Sequence, residues 1–201
     1  MVSHAELLLT DLDATLTRAS NDRRTDMLRR MTDLLFASAP TVPPEAITIF
    51  DAVMQRLSQE VDPRALAELS GRLAAADSAP ADLVARLSQS DDILVSGPLL
   101  EKSNVLADAT LVGVAMTKGQ GHLLAIAGRL RINDVVSDVL VDRGDPAVRC
   151  KVTANKGALL SERSFARLIT EARNDKDLAV LVSGREDVPP ELRPFLAKIK
   201  S

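Results

Sequence analysis

This sequence predicts an all-helical fold of stacked helix pairs, on three observations. Aromatic residues are nearly missing: four Phe, no Trp and no Tyr make up 2% of the 201 residues. Sandwiches and barrels draw on aromatic and β-branched side chains to fill their pleated faces. Apolar residues still reach 46%, and much of that is Leu and Ala, the better helix formers. Finally, from about residue 92 onward, apolar positions recur in a long-period register, as expected where one helix pair must cover the next.

The N-terminal half supplies five helices. Ser3 and Glu6 form a capping box ahead of Leu8, Leu9, Leu12 and Leu16 at helical spacing. A second helix opens at Asn21 or Asp22 and carries Met27, Leu28, Met31, Leu34 and Leu35. Val42-Pro43-Pro44-Glu45 starts a third, through Ile47, Phe50, Val53, Met54 and Leu57, since a first-turn proline loses no intrahelical bond. Asp62-Pro63 starts a fourth, with Leu66, Leu69 and Leu73. Ala79-Pro80-Ala81-Asp82 introduces a short fifth, through Leu83, Val84 and Leu87.

The repeat follows. With Ala107, Asn133, Ser161 and Pro189 taken as equivalent starts of the second helix in each unit, the spacings are 26, 28 and 28 residues. Seven positions earlier stand Leu100, Ile126, Ala154 and Val182. One position earlier stand Leu106, Ile132, Leu160 and Val188, and seven later Val114, Leu140, Leu168 and Leu196. Every one is apolar. Asp145-Pro146 echoes Asp62-Pro63, and Val188-Pro189-Pro190-Glu191 echoes Val42-Pro43-Pro44-Glu45. A helix pair cannot bury its own apolar face, so stacking makes a continuous core. The expected architecture is a right-handed or irregular α-solenoid, with an N-terminal helical part over 1–90 and a repeat part over 91–201 in one continuous domain.

Charge and cysteine usage narrow the function classes. A single Cys150 excludes an intrachain disulfide and a Cys-based zinc cluster, which fits a cytoplasmic setting. No apolar run approaches the ~18 residues of a membrane span, and the N-terminus has no basic region of a signal peptide. The net charge of −3 is uneven: Lys and Arg number 10 against 17 acids over residues 1–117, but 10 against 6 over 118–173. That excess is too sparse for nucleic acid, which wants a dense basic stripe. A membrane partner is not expected either.

Leu7-Leu8-Leu9-Thr10-Asp11-Leu12-Asp13-Ala14-Thr15 looks like the nucleophile motif of the haloacid-dehalogenase superfamily. There, two aspartates at a strand end sit near a Mg²⁺; the first attacks phosphorus and the second acts as acid/base. The glycine expected after the second Asp is Ala14, and a capping box stands where the strand should begin. On a helix Asp11 and Asp13 point about 200° apart and cannot share a metal. This stretch reads as amphipathic helix, with a Mg-dependent phosphatase as the alternative.

Neither His4 nor His122 has a Ser–His–Asp or Cys–His companion at a suggestive spacing. Cys150, between Arg149 and Lys151, reads as a small packing residue; its thiol would be acidified by them only if exposed. Thr117-Lys118-Gly119-Gln120-Gly121-His122 lacks phosphate-loop spacing and reads as an inter-unit turn. The better contact surface is basic. Arg129, Arg131, Arg149, Lys151 and Lys156 fall in or just after the first helices of adjacent units, and Arg163 and Arg167 sit four apart on a second helix.

Ser96-Gly97-Pro98-Leu99-Leu100-Glu101-Lys102-Ser103 and Gly121-His122-Leu123-Leu124-Ala125-Ile126-Ala127-Gly128-Arg129 are similar to a recurring pattern. So are Asp138-Val139-Leu140-Val141-Asp142-Arg143-Gly144-Asp145 and Ala154-Asn155-Lys156-Gly157-Ala158. The pattern resembles an uncharacterised, mainly alphaproteobacterial family, the domain of unknown function 2336. The resemblance also takes in Arg23-Arg24 through Asp33-Leu34-Leu35-Phe36. It implies a HEAT-like helical-repeat body and brings no activity, cofactor or catalytic residue. Members are often longer, so it implies a short member or the N-terminal part of a longer one. The function expected is a non-enzymatic interaction or scaffold module for a protein or peptide, without cofactor or metal; structural self-assembly as a homo-oligomer is a further alternative.

Overall fold

The structure, a computed structural model, describes residues 20–38, 44–58, 61–77 and 79–198. The first expected helix, with Ser3, Glu6, Asp11 and Asp13, lies outside them. Among the described residues the chain is all-helical, with twelve α-helices, one 3₁₀ turn and no strand. It divides into two compact units. One ends at Leu99 and takes in Ser103–Leu106; the other comprises Leu100–Lys102 and everything from Ala107. The division thus falls at the C-terminal end of a helix.

The first unit contains α1 (Asn21–Ser38), α2 (Pro44–Leu57), α3 (Pro63–Leu73) and α4 (Ala81–Ser88). Helix α1 packs on both α2 and α3, and α2 on α4, so alternate helices fall into two layers. Met54, Leu57, Leu69, Leu73, Leu83 and Val84 fill the interior. Asp62 caps α3 by accepting from Arg64 N–H at 2.7 Å, with Pro63 in the first turn. Pro80 begins α4 and has no side-chain group to cap with. The buried Asp51 of α2 takes that role, accepting from the N–H groups of Asp82 at 3.0 Å and Leu83 at 2.9 Å.

α5 (Ile93–Lys102) is shared between the units. The second unit continues with α6 (Asp108–Thr117), α7 (Gln120–Ala127), α8 (Asp134–Arg143), α9 (Pro146–Ala154), α10 (Glu162–Glu171) and α11 (Lys176–Ser183). A 3₁₀ turn (Pro190–Leu192) and α12 (Arg193–Ala197) follow. Packing again alternates: α6 on α8 on α10 makes one layer, α7 on α9 on α11 the other. The four expected starts, Ala107, Asn133, Ser161 and Pro189, are the residues that precede α6, α8, α10 and the 3₁₀ turn. Asn133, Asp145, Ser161 and Asp175 each accept from a backbone N–H three residues on, as N-caps do.

The columns hold at nine of twelve positions. Leu100, Ile126, Val182, Leu106, Ile132, Val188, Val114, Leu140 and Leu168 are buried, while Leu160 and Leu196 are half-buried. Ala154 is exposed. The cause is the connection after α9. Val152, fully buried, occupies the place of Ile126, but it lies nine residues before Ser161 where Ile126 lies seven before Asn133. Two added residues shift the register.

That connection is laid along the one after α7. Ile132 N–H donates to Gly157 O at 3.1 Å and Leu159 N–H to Ile132 O at 2.9 Å, an isolated parallel bridge between Ile132 and Ala158. The two backbones come so close that a Cβ on Gly157 would lie 1.9 Å from Leu130 O.

Helix ends are joined by side chains from the next helix pair. Arg86 donates to Gln55 O at 3.0 Å and to Ser58 Oγ. Arg129 donates to Leu100 O at 2.7 Å, and Asn155 Nδ2 to Ala127 O at 3.0 Å and Arg129 O at 2.7 Å. Arg185 reaches Thr153 O at 3.1 Å, Asn155 O at 2.9 Å and Ala158 O at 2.8 Å, and stands 5.6 Å from the centre of the buried Phe165 ring. In the other layer Arg143 donates to Ala115 O and Lys118 O. A helix leaves its last four carbonyls without partners. These donors supply some, with positive charge at the negative end of the dipole.

Three stability outcomes follow from these contacts. Leu140→Ala and Leu168→Ala, each at a fully buried site, should each destabilise by about 2–5 kcal/mol, read from urea unfolding by far-UV circular dichroism. Gly157→Ala should also lower the midpoint, whereas Gly113→Ala, where a Cβ meets nothing within 4 Å, should raise it or leave it unchanged. Arg185→Lys should lose about 1.5–3 kcal/mol, because an ammonium cannot fork across three carbonyls.

Candidate functional site

The seven basic residues picked out by sequence divide into two sets. Arg129 is half-buried and bound to Leu100 O; burial pushes its pKa down, partly offset by the charge of Asp108. Arg149 pairs with Glu171 at 2.9 Å and donates to Val141 O at 3.2 Å. Arg163 and Arg167 both pair with Asp142, at 2.6 Å and 2.8 Å, and Arg167 also with Glu171 at 3.1 Å. The hydrogen bond that Arg167 donates to Glu171 is the main reason the Arg167 pKa rises. Together these five residues form one ion-pair chain joining α8, α9 and α10. Four of the seven are therefore engaged within the molecule.

The other three are Arg131, Lys151 and Lys156. Their side chains make no ion pair or hydrogen bond with another described residue. Arg131 and Lys156 are exposed and Lys151 is half-buried. All three border the paired connections. Arg131 precedes Ile132 of the bridge, Lys156 precedes Gly157, and the Lys151 ammonium would be 2.9 Å from a Cβ on Gly128. Glu101 comes to the same place, its Oε1 2.8 Å from that point.

A groove of about 640 Å³ runs between the end of α9, the connection after it, and α11, and of these three cations Lys156 lines it. Leu159, Val180 and Leu181 make its apolar surface, and Lys156, Glu186 and Asp187 are among its polar lining. Leu159 is 62% exposed and Val180 73%, with Leu130 at 87% on the neighbouring connection. Asp187 is held by Arg185 at 2.6 Å. The geometry suits recognition of a surface feature: an apolar strip with Lys156 and Glu186 in its charged lining.

The apolar members were not expected from the repeat columns, although a signal for them exists. Val180 stands two residues from both Leu178 and Val182, the buried pair of α11, so it points about 200° away from the core face. Leu130 stands two before the buried Ile132, and Leu159 directly follows the buried Ala158.

Other candidate chemistry resolves structurally. Burial, then Asp175 and Asp177, push the Cys150 thiol pKa up, and the side chain is half-buried rather than exposed beside Arg149 and Lys151. His122 is buried within α7, and the turn before it is confined to Lys118-Gly119. Ile93–Ser96 and Val180–Ser183, apolar runs that end in serine, lie in helices α5 and α11. Among the described residues no group of three His, Cys, Asp or Glu is placed to hold a metal ion, and no helix is long and apolar enough to cross a membrane.

No curated protein and no solved structure matches the chain significantly. The model of the domain of unknown function 2336 (DUF2336), described as an uncharacterised protein conserved in bacteria, matches residues 95–199. That span is just over half of the chain and takes in α6 to α12 with both connections that border the groove. The chain belongs to the DUF2336 family.

Proposed function

We propose that this chain is a non-enzymatic protein-interaction module, a HEAT-like α-solenoid that holds a protein or peptide segment in the groove between α9 and α11. The observation that carries the reading is the concentration of exposed apolar side chains, Leu159 and Val180, in one groove that Lys156 and Glu186 also line. Singly exposed apolar residues are ordinary, but a cluster in a cleft rimmed by polar groups marks a contact site. The α7–α9–α11 layer also fits a binding role, since stacked helix pairs present aligned side chains along one edge. An intracellular, cytoplasmic setting is part of this reading.

The test uses a photo-crosslinking amino acid at position 159 or 180, with position 135 on α8 as an exposed control. Defined adducts are expected from 159 and 180 and not from 135. Leu159→Asp with Val180→Asp should weaken binding of the captured protein by about tenfold or more while the unfolding midpoint holds. Unchanged binding in that double variant would sink the proposal.

A further inference from the structure

We infer that the occupant of this groove is a second copy of the chain, joined about a two-fold axis that runs along the groove. The inference rests on the groove being a protein-binding site and names its partner. The balance of charge in the lining carries it. Lys156 stands on the wall made by the connection after α9, and Glu186 on the wall made by α11 and the connection after it. Both are exposed, and neither makes an ion pair or hydrogen bond with another described residue. The other charged pair of the lining, Arg185 and Asp187, is closed on itself at 2.6 Å. Lys151 and the exposed Asp177 of α11 lie outside the lining. One free cation and one free anion are left, each on its own wall.

Covering the groove strips water from both charges, and a charge left unpaired in an interface is unfavourable. A partner of one sign satisfies one wall and is repelled at the other. A second copy brings both signs at once, because in a two-fold interface residue i meets j and j meets i. Rotation about an axis along the groove sets each wall against the opposite wall of the second copy. Lys156 then faces the partner's Glu186, and Glu186 faces the partner's Lys156. The apolar side chains follow the same exchange: Leu159, 62% exposed on the first wall, meets the partner's Val180, 73% exposed on the second. Ten residues line the groove, fewer than the roughly 20–30 that a standard interface takes from each side. The dimer is therefore a concentration-dependent one.

Charge reversal tests the exchange directly. Sedimentation velocity of the full chain over a concentration series should show a monomer–dimer equilibrium that weakens as salt rises. Lys156→Glu sets two carboxylates against each other at both ends of the contact, and Glu186→Lys sets two ammonium groups there. Each single variant should self-associate about tenfold more weakly than the wild type. An equimolar mixture of the two, with one of them fluorescently labelled, should regain wild-type affinity as a heterodimer, since every reversed charge then meets its opposite. Lys156→Glu with Glu186→Lys in one chain should regain it as a homodimer. Leu159→Asp should leave a monomer, with the unfolding midpoint unchanged.

A wild-type chain that stays monomeric at every concentration would overturn the inference. So would single reversals without effect, or a mixture no tighter than its components. A dimer that survives Leu159→Asp lies elsewhere on the molecule, and an open series of higher oligomers is a head-to-tail contact; either result also overturns it. If the chain remains a monomer while crosslinkers at 159 and 180 capture a different protein, the groove stands as a protein-binding site and only the second copy falls. If nothing is captured and no dimer forms, both readings fall.

Discussion

Short helices have ends they cannot satisfy themselves, and the rest of this molecule follows from that. From α6 to α11 each helix has eight to ten residues. Four unpaired N–H groups and four unpaired carbonyls per helix are then a large share of the backbone. N-caps satisfy donors locally, as Asn133, Asp145, Ser161 and Asp175 do. Acceptors have no equivalent local device here, because no glycine takes the left-handed conformation that commonly closes a helix C-terminus. The carbonyls are met instead by donors from the following helix pair: Arg129, Asn155 and Arg185 in one layer, Arg143 in the other. Each pair is therefore locked to its neighbour by polar contacts as well as by apolar burial.

This division of labour governs which charges face outward. A half-buried arginine on a helix terminus gains hydrogen bonds that a surface arginine lacks, and hydrogen bonds involving charged groups are worth roughly 1.5–3 kcal/mol. Arg129 and Arg185 are held in this way, and Arg149, Arg163 and Arg167 are held by the carboxylates of Asp142 and Glu171. Arg131, two residues beyond Arg129, makes no hydrogen bond with another described residue and stays exposed. Position relative to the helix end, more than residue type, separates a fastening from a rim charge.

The same distinction explains how far the sequence could be read. Helical class, the helix starts from Asn21 onward and the second-unit register were legible, because prolines, capping residues and apolar columns are local or periodic signals. Asn133 and Ser161 illustrate this, each in its expected place with its side chain on a backbone N–H. The fastening role of Arg129 was not legible, since its acceptor lies 29 residues earlier and shares no pattern with it. Asp51 was missed for the same reason: its charge serves α4, whose own first residues offer no cap. Of the basic surface, Lys156 lines the groove. The apolar half was hidden because Leu159 and Val180 fall between columns that were searched only for buried positions.

The groove and the broken register have one origin. In the connection after α9, two more residues separate the buried Val152 from Ser161 than separate Ile126 from Asn133. The added length leaves Ala154 outside the core and carries the chain out past Asn155 to the bridge at Ala158, where Leu159 emerges facing solvent. Arg185 then spans the gap between the ends of α9 and α11 with hydrogen bonds where close-packed side chains would otherwise stand. A side chain that ties carbonyls together holds two helix ends at a fixed separation without filling the space between them. The cleft lined by Thr153, Ala154, Gly184 and Arg185 is that space. The broken register and the cleft thus share one stretch of chain, the end of α9 and the connection that follows it.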